Sequence, residues 1–237
     1  ENIVRLETDV QRQEAFMGAF AHELKTPMTS IIGYADLLRQ DGLDYNKRQR
    51  AANYIFTEGQ RLEKLSFKLL DLLLIKKDSP ELKQVQLSIF LAEIENALAP
   101  ALKEKGIRLV CKSDRGKAYL EPDLVKSLLY NLIDNAAKAM ESSGIVAVQG
   151  QTISGGCQFT VIDNGRGMEK EELSKITDAF YRVDKARSRK QGGAGLGLAL
   201  CKEIVALHRG SMQFASAPGT GTKVIVTLYG KAGADNA

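Results

Sequence analysis

The chain has 237 residues, of which 44% are apolar and 26% charged, and this balance is typical of well-packed globular domains. It excludes intrinsic disorder as the main description, and the richest apolar run, Leu69 to Ile75, is too short to span a membrane. The net charge of +4 is too small to indicate nucleic-acid binding, so we expect no nucleic-acid partner.

The beginning of the sequence indicates a part of a longer protein. It starts at Glu1 without a methionine and without a signal segment. We therefore expect any sensor or membrane anchor to lie in a missing N-terminal portion. Three widely spaced cysteines, with no Cys-x-x-Cys pair, indicate reduced thiols and a cytoplasmic location.

Residues 1–78 have the pattern of two long helices. Apolar residues recur every seven positions from Ile3 to Leu38, which predicts one helix of about 35 residues. A second helical pattern runs from about Asn46 to Lys77. One hairpin of two such helices cannot bury both apolar stripes, so we predict pairing with a second copy as a dimeric four-helix bundle.

Residues 83–230 alternate between short helical and strand patterns, after a domain boundary near residues 78–83 and before a tail at residues 231–237. This mixture predicts an α+β two-layer sandwich. Predicted helices run from Ser88, a possible N-cap, to Lys105, from Glu121-Pro122 to Met140, and from the Gly192–Gly197 stretch to near His208. Predicted strands are Ile107–Lys112, Lys117–Leu120, Ile145–Thr152, Cys157–Ile162, Ser211–Ala217 and Thr222–Leu228.

His22 is the first candidate for chemistry. If Met17 is an inward a position of the heptad, His22 falls at f and faces water, unlike a histidine of the core. Thr26 follows one turn later on the same face, and Pro27 lies in mid-helix. A proline there costs roughly 3 kcal/mol and bends the helix, which favours a functional reason for this segment over an ordinary exposed histidine.

Asn131, Asn135 and Lys138 form a second candidate group. Their spacings of four and three place them on one face of a helix. An amide oxygen can ligate magnesium and a lysine can bind phosphate. The alternative for this segment alone is a polar outer face.

Two glycine-containing stretches follow. Asp163-Asn164-Gly165-Arg166-Gly167 comes directly after an apolar strand, where a carboxylate can accept from an exocyclic amine and glycines permit close approach to a flat ligand. A tight turn is the alternative. Gly192–Gly197 precedes a helix, whose free N–H groups favour phosphate, although glycine loops are common.

Five stretches, taken in order, resemble the motifs of one family. They are FMGAFAHELKTPMTSIIGYADLL, NLIDNAAKA, DNGRGM, AFYRVDKARSR and GGAGLGLAL. In order and spacing they resemble the phosphoacceptor box, N box, first glycine box, F box and second glycine box of the sensor histidine kinases of bacterial two-component systems. The resemblance implies a hairpin for dimerisation and histidine phosphotransfer, followed by a Bergerat-type ATP-binding catalytic domain.

The resemblance also implies roles for individual residues. His22 would accept the γ-phosphate of ATP, Glu23 would act as its base, and Asn135 would ligate Mg²⁺. Asp163 would bind the adenine amine, Asn131 and Lys138 would assist around metal and phosphates, and the basic stretch from Arg182 to Lys190 would belong to a lid. The other residues implied for the ATP/ADP site are Gly165, Gly167, Tyr181, Gly193, Gly195, Leu196, Gly197 and Thr222.

The implied partners are a second copy, as a homodimer, and the receiver domain of a response regulator, whose aspartate would take the phosphoryl group. Glu23-Leu24-Lys25-Thr26 resembles the family pattern associated with phosphatase activity. Thr26 would then orient a water towards the phospho-regulator. A threonine that bonds back to its own helix is the alternative.

Two other functions compete with the kinase. Bergerat-type ATP hydrolases carry a glutamate base where Asn131 stands, and an amide cannot deprotonate water. A non-catalytic dimeric scaffold would keep the heptads without binding ATP. Failure to bind ATP would favour the scaffold.

Overall fold

The computed structural model describes residues 2–75, 80–184 and 194–230. Two helices, α1 (Asn2–Leu38) and α2 (Tyr45–Ile75), form the predicted hairpin. Tyr34 stacks on Tyr54 with ring centroids 4.5 Å apart, and Glu23 pairs with Arg61 further from the loop. The second pair lies further from the loop than the first along both helices, so the hairpin is antiparallel. The predicted end of the second helix, Lys77, lies outside the described residues.

α1 continues through Pro27, which is buried. Proline has no N–H, so the carbonyl of Glu23 loses its helical donor. In the single chain 54% of Met17 is exposed, so its predicted inward position applies only to the dimeric bundle and stays a prediction. Its neighbours Phe16 and Phe20 instead contact the second domain.

The described residues of the second domain form two sheets. The strands are β1 (Lys83–Gln86), β2 (Ile107–Ser113), β3 (Lys117–Leu120), β4 (Gly144–Ile153), β5 (Gly156–Asp163), β6 (Ser211–Ala217) and β7 (Gly221–Tyr229). The large sheet has the order β2-β4-β5-β7-β6, in which only β2 and β4 are parallel, and β1 pairs with β3.

Three helices, α3 (Leu87–Glu104), α4 (Pro122–Ala139) and α5 (Gly197–Leu207), cover one face of the large sheet. Burial along β5 alternates, and its buried side chains include Phe159 and Val161. Such alternation is typical of a strand with one face on a core. The predicted α+β two-layer sandwich is therefore confirmed, with its core between the helices and the sheet.

The predicted N-cap at Ser88 is wrong. α3 begins at Leu87, whose N–H donates to the carbonyl of Gly116 over 3.1 Å, and Gln86 is the N-cap. The strand β1 runs directly into the helix, so the cap lies two residues earlier than the side-chain chemistry suggests. The hydroxyl of Ser88 instead accepts from the Gln86 amide over 3.1 Å.

His208, the second histidine, is a residue of the core and 1% exposed. Its Nδ1 lies 2.8 Å from the carbonyl oxygen of Ile204, and its Nε2 accepts the N–H of Glu121 over 3.0 Å. This neutral tautomer connects the end of α5 to the N-cap of α4. Burial lowers the pKa of His208.

The three cysteines are free thiols, of which Cys157 and Cys201 are buried and Cys111 is half-buried. Burial raises the pKa of each to about 12. Within residues 2–75, 80–184 and 194–230, no helix is long and apolar enough to cross a membrane.

Candidate active site

His22 lies on the exposed surface of α1, as its heptad position predicts. One turn later, the hydroxyl of Thr26 donates to the carbonyl oxygen of His22 over 3.3 Å. The hydroxyl therefore bonds back to its own helix, which is the alternative to a hydroxyl that orients a water. The same bond keeps the hydroxyl on the side of the helix that carries His22.

Glu23 lies between two arginines. Its Oε2 is 3.4 Å from Nη2 of Arg61 on α2, and its Oε1 forms an ion pair with Arg182 of the second domain. The exposed fractions of these side chains are 12% for Glu23, 14% for Arg61 and 6% for Arg182. Both carboxylate oxygens are therefore bonded to guanidinium groups rather than to the ring of His22.

Phe180 connects the second domain to α1 by apolar contact. Its ring centroid lies 5.3 Å from that of Phe16 and 6.3 Å from that of Phe20. Phe180 has a φ of 66°, which is unusual for a residue with a side chain, and its N–H donates to the carbonyl of Gly195 over 2.8 Å. A Cβ at Gly195 would lie 2.7 Å from the carbonyl carbon of Phe180, so only glycine fits there.

A cavity of about 200 Å³ opens beside this contact, between α4, β5, α5 and the side of α2. It brings together residues from four of the five motifs. The predicted site residues that line it are Asn135, Lys138, Asp163, Gly167, Tyr181, Arg182, Gly195, Gly197 and Thr222.

Asp163 ends β5 and is 8% exposed. Its Oδ1 accepts the backbone N–H of Gly165 over 2.8 Å and that of Thr222 over 3.2 Å. Burial raises the pKa of this carboxyl, and the two hydrogen bonds oppose that shift. Among the described residues, both bonds end on Oδ1, so Oδ2 remains available to an amine donor in the cavity.

Gly165 does not line the cavity, but its small size is needed beside Asp163. A Cβ there would lie 2.8 Å from the Cβ of Ala139 and 2.9 Å from Oδ1 of Asp163. The glycine therefore permits the backbone turn that holds the carboxylate. Tyr181 is fixed by a hydrogen bond from its hydroxyl to Glu172.

The three predicted polar residues of α4 lie in two places, the cavity and a groove beside it. Asn135 is exposed and lines the cavity, as does Lys138, whose Nζ lies 2.7 Å from Asp134. Asn131 lies in an adjoining groove, where its Nδ2 donates to the carbonyl of Ser127 over 2.8 Å and its Oδ1 accepts from Lys68 over 3.1 Å. The three residues share a helix face, but only two of them reach the cavity.

Two further predicted site residues stand apart. Leu196 is fully buried at the N-cap of α5 and does not line the cavity. Gly193 lies outside the described residues, and so does the basic stretch from Lys185 to Lys190. In the part of the chain that the structure describes, no group of three or more His, Cys, Asp or Glu side chains could hold a metal.

Sequence reasoning missed Arg61 and Lys68, which belong to α2 but contact the site. Their partners lie 38 and 63 residues away in sequence. Neither residue belongs to a motif, so no local signal identified them. Phe180 lies inside a quoted motif, but nothing in the sequence indicated its contact with α1.

Comparison with known proteins gives two family matches. Residues 12–77 match the His Kinase A (phospho-acceptor) domain, and residues 120–231 match the histidine kinase-, DNA gyrase B-, and HSP90-like ATPase. Residues 78–119 lie between the two matches, so the boundary predicted near residues 78–83 stays a prediction.

Curated relatives match along most of the chain. An uncharacterised sensor-like histidine kinase of Rhizobium meliloti is 31% identical over 90% of this chain and 42% of its own length. The sensor protein kinase WalK of Staphylococcus epidermidis is 32% identical over 92% of this chain and 36% of its own length. The chain thus spans less than half the length of these two relatives.

Solved structures share the fold. Histidine kinase ThkA in complex with response regulator protein TrrA matches with a TM-score of 0.75 at 19% identity, over 98% of this chain and 67% of that chain. Full-length ShkA in complex with AMPPNP matches with a TM-score of 0.66 at 23% identity, over 93% of this chain and 47% of that chain. Both likenesses therefore extend over the hairpin and the sandwich together.

Proposed function

The chain belongs to the sensor histidine kinases of two-component systems, and on that premise we propose that it transfers the γ-phosphoryl group of ATP to His22. The observation that carries this proposal is the position of Arg182. This side chain lines the cavity and also pairs with Glu23, the residue next to His22. It therefore connects the nucleotide cavity to the phosphoacceptor segment.

The cavity residues fit ATP and Mg²⁺. Oδ2 of Asp163 is available to accept from the exocyclic amine of adenine, and the two bonds to Oδ1 hold the carboxylate in place. Asn135 offers an exposed amide oxygen, a ligand type that Mg²⁺ accepts together with phosphate oxygens. Mg²⁺ would neutralise charge on the phosphates during transfer.

In the proposed reaction, a ring nitrogen of His22 attacks the γ-phosphorus and the bond to the bridging oxygen of ADP breaks. The proton on the other ring nitrogen passes to Glu23. Each oxygen of Glu23 bonds to an arginine in this arrangement, and these positive charges lower its basicity, so release of one arginine would favour the proton transfer. Arg182 fits this exchange, since a phosphate in the cavity competes with Glu23 for its guanidinium.

We propose that the phosphoryl group then passes to an aspartate in the receiver domain of a response regulator. The exposed position of His22 supports this step, because the histidine must meet both the nucleotide and a second protein. Thr26 lies on the same side of α1, and we propose that it also supports dephosphorylation of the regulator. The solved complex of ThkA with TrrA is a precedent for such a partner.

The functional unit in this proposal is a homodimer. Large apolar side chains of the hairpin are exposed in the single chain: Met17, Met28, Ile32, Phe56, Phe67, Leu70 and Leu73. A soluble hairpin rarely exposes so many, and a second copy would cover them in a four-helix bundle.

The three free thiols of the chain are typical of a reducing compartment, which supports the cytoplasm as the location of the protein.

The test is incubation with ATP labelled at the γ-phosphate and Mg²⁺, followed by mapping of the labelled residue. We expect a single acid-labile, base-stable product on His22. The variant His22→Gln should lose the label and keep nucleotide binding. Phosphate release without labelling would instead indicate an ATP hydrolase, and absence of nucleotide binding would indicate a scaffold.

A further inference from the structure

Lys68 places an ammonium group from the hairpin in the wall of the nucleotide cavity. It lies on α2, and its Nζ donates to Oδ1 of Asn131 on α4 over 3.1 Å. The same side chain lines the cavity with Asn135 and Lys138. A residue of the phosphotransfer hairpin thus borders the site that the second domain forms.

The charge on Lys68 is poorly compensated. The side chain is half-buried, and its hydrogen bond ends on a neutral amide. Among the described residues, no carboxylate lies within 4.0 Å of its Nζ. A cation that loses water without gaining an anion is unfavourable in this position.

The groups around Lys68 act in opposite directions. Burial lowers its pKa, Asp134 and Asp71 favour the charged form at longer range, and Lys138 repels it. Asp134 is already bonded to Lys138 over 2.7 Å, so its charge acts on both ammonium groups and is not available to Lys68 alone. An anion between Lys68 and Lys138 would compensate both.

We propose that Lys68 binds the phosphate chain of the nucleotide, so that the hairpin supplies one cation to the ATP site of its own chain. This inference rests on the proposed function. Asn131 positions the lysine by accepting its hydrogen bond. By thermodynamic linkage, a nucleotide that contacts both domains also favours their docked arrangement.

The structural alternative is that Lys68 only fastens α2 to α4. A fastening role acts on every ligand of the cavity alike, whereas a phosphate contact depends on the length of the phosphate chain. Titrations with adenosine, ADP and a non-hydrolysable ATP analogue therefore separate the two. Lys64, one turn earlier on α2 and exposed, provides a matched control.

The experiment measures the affinity of these three ligands, with Mg²⁺, for the full chain and for Lys68→Met, Lys68→Arg and Lys64→Met. We expect Lys68→Met to weaken binding of the ATP analogue about tenfold, as for a lost bond between charged groups, and of ADP less. Adenosine binding should stay unchanged, which also shows that the cavity is folded. Lys68→Arg should keep most of the affinity and Lys64→Met all of it.

Two results would overturn the inference and leave the proposed function intact. One is an unchanged affinity of Lys68→Met for the ATP analogue. The other is a loss of the same size for adenosine and the ATP analogue. If the unmodified chain binds none of the three ligands, the proposed function fails, and this inference fails with it.

Discussion

The guanidinium of Arg182 forms an ion pair with the carboxylate of Glu23, although 159 residues separate them in sequence. Both side chains are nearly buried, so the pair lies inside the contact between the domains. Phe180, two residues earlier, packs on Phe16 and Phe20. The ion pair and the aromatic cluster together hold the second domain on α1 beside His22.

We predict that Arg182→Ala weakens this docking by about 2 kcal/mol, because it leaves a nearly buried carboxylate with one partner fewer. Small-angle X-ray scattering should show a larger radius of gyration for the variant. The control is Arg39→Ala, which removes an exposed arginine that lies just after the end of α1, 3.8 Å from Asp36. A variant with the scattering curve of the unmodified chain would show that the pair contributes nothing to docking.

The second prediction concerns Asp163→Asn. An amide keeps one acceptor oxygen but cannot both accept the N–H bonds of Gly165 and Thr222 and present a second oxygen to adenine. We expect nucleotide affinity to fall about tenfold or more. Calorimetric titration with ATP and GTP analogues checks this, since an equal loss for both would argue against base recognition.

Asn135→Ala should act differently, and this is the third prediction. Its side chain is exposed in the cavity wall and makes no hydrogen bond to the other described residues, so we expect its loss to remove only a candidate magnesium ligand. Phosphoryl transfer to His22 should decrease while binding without Mg²⁺ stays the same. Titrations with and without Mg²⁺ separate the two effects, and a loss of the same size in both would contradict the assignment.

The fourth prediction tests Thr26. Thr26→Ala should keep phosphorylation from ATP, because it removes neither the nucleophile nor its base. It should slow dephosphorylation of the regulator about tenfold, or roughly 1.4 kcal/mol of barrier. The assay follows decay of the purified phospho-regulator with ADP, and Thr29→Ala is the control because its hydroxyl makes the same type of backbone bond, to Lys25, over 2.8 Å. Equal decay rates for all three proteins would leave the hydrogen bond to His22 as the only role of Thr26.

The fifth prediction follows from the buried His208. Because burial lowers its pKa, the unfolded chain binds a proton near pH 6.5 while the folded chain does not. The contribution to stability is therefore complete above pH 6.5 and decreases as the pH falls below it, by up to about 1.4 kcal/mol per pH unit. Thermal unfolding between pH 7.5 and 5.5 should show this slope in the unmodified chain and in His22→Gln. The slope should be smaller in His208→Gln, and equal slopes in all three would contradict the assignment.

The local signals of the sequence predicted most of the elements. Helix periodicity and alternating strands act over a few residues, so the observed ends lie within a few positions of the predicted ones. The strand β1 was missed, because only its last two residues are even half-buried and it has no alternation. Asp163 and Asn135 were found because their motifs are continuous in sequence. Lys68 reaches the cavity only through the docking of two domains, and no pattern in one helix predicts that contact.

The contact between Gly195 and Phe180 has a consequence for genetics. A methyl group at Gly195 meets the backbone of Phe180, and Phe180 is the residue that packs on α1. A substitution in this glycine motif would therefore disturb the cavity and the attachment of the domain at the same time. An inactive Gly195 allele is consequently ambiguous, since its phenotype reports a nucleotide defect and a defect of assembly that no single activity assay can separate.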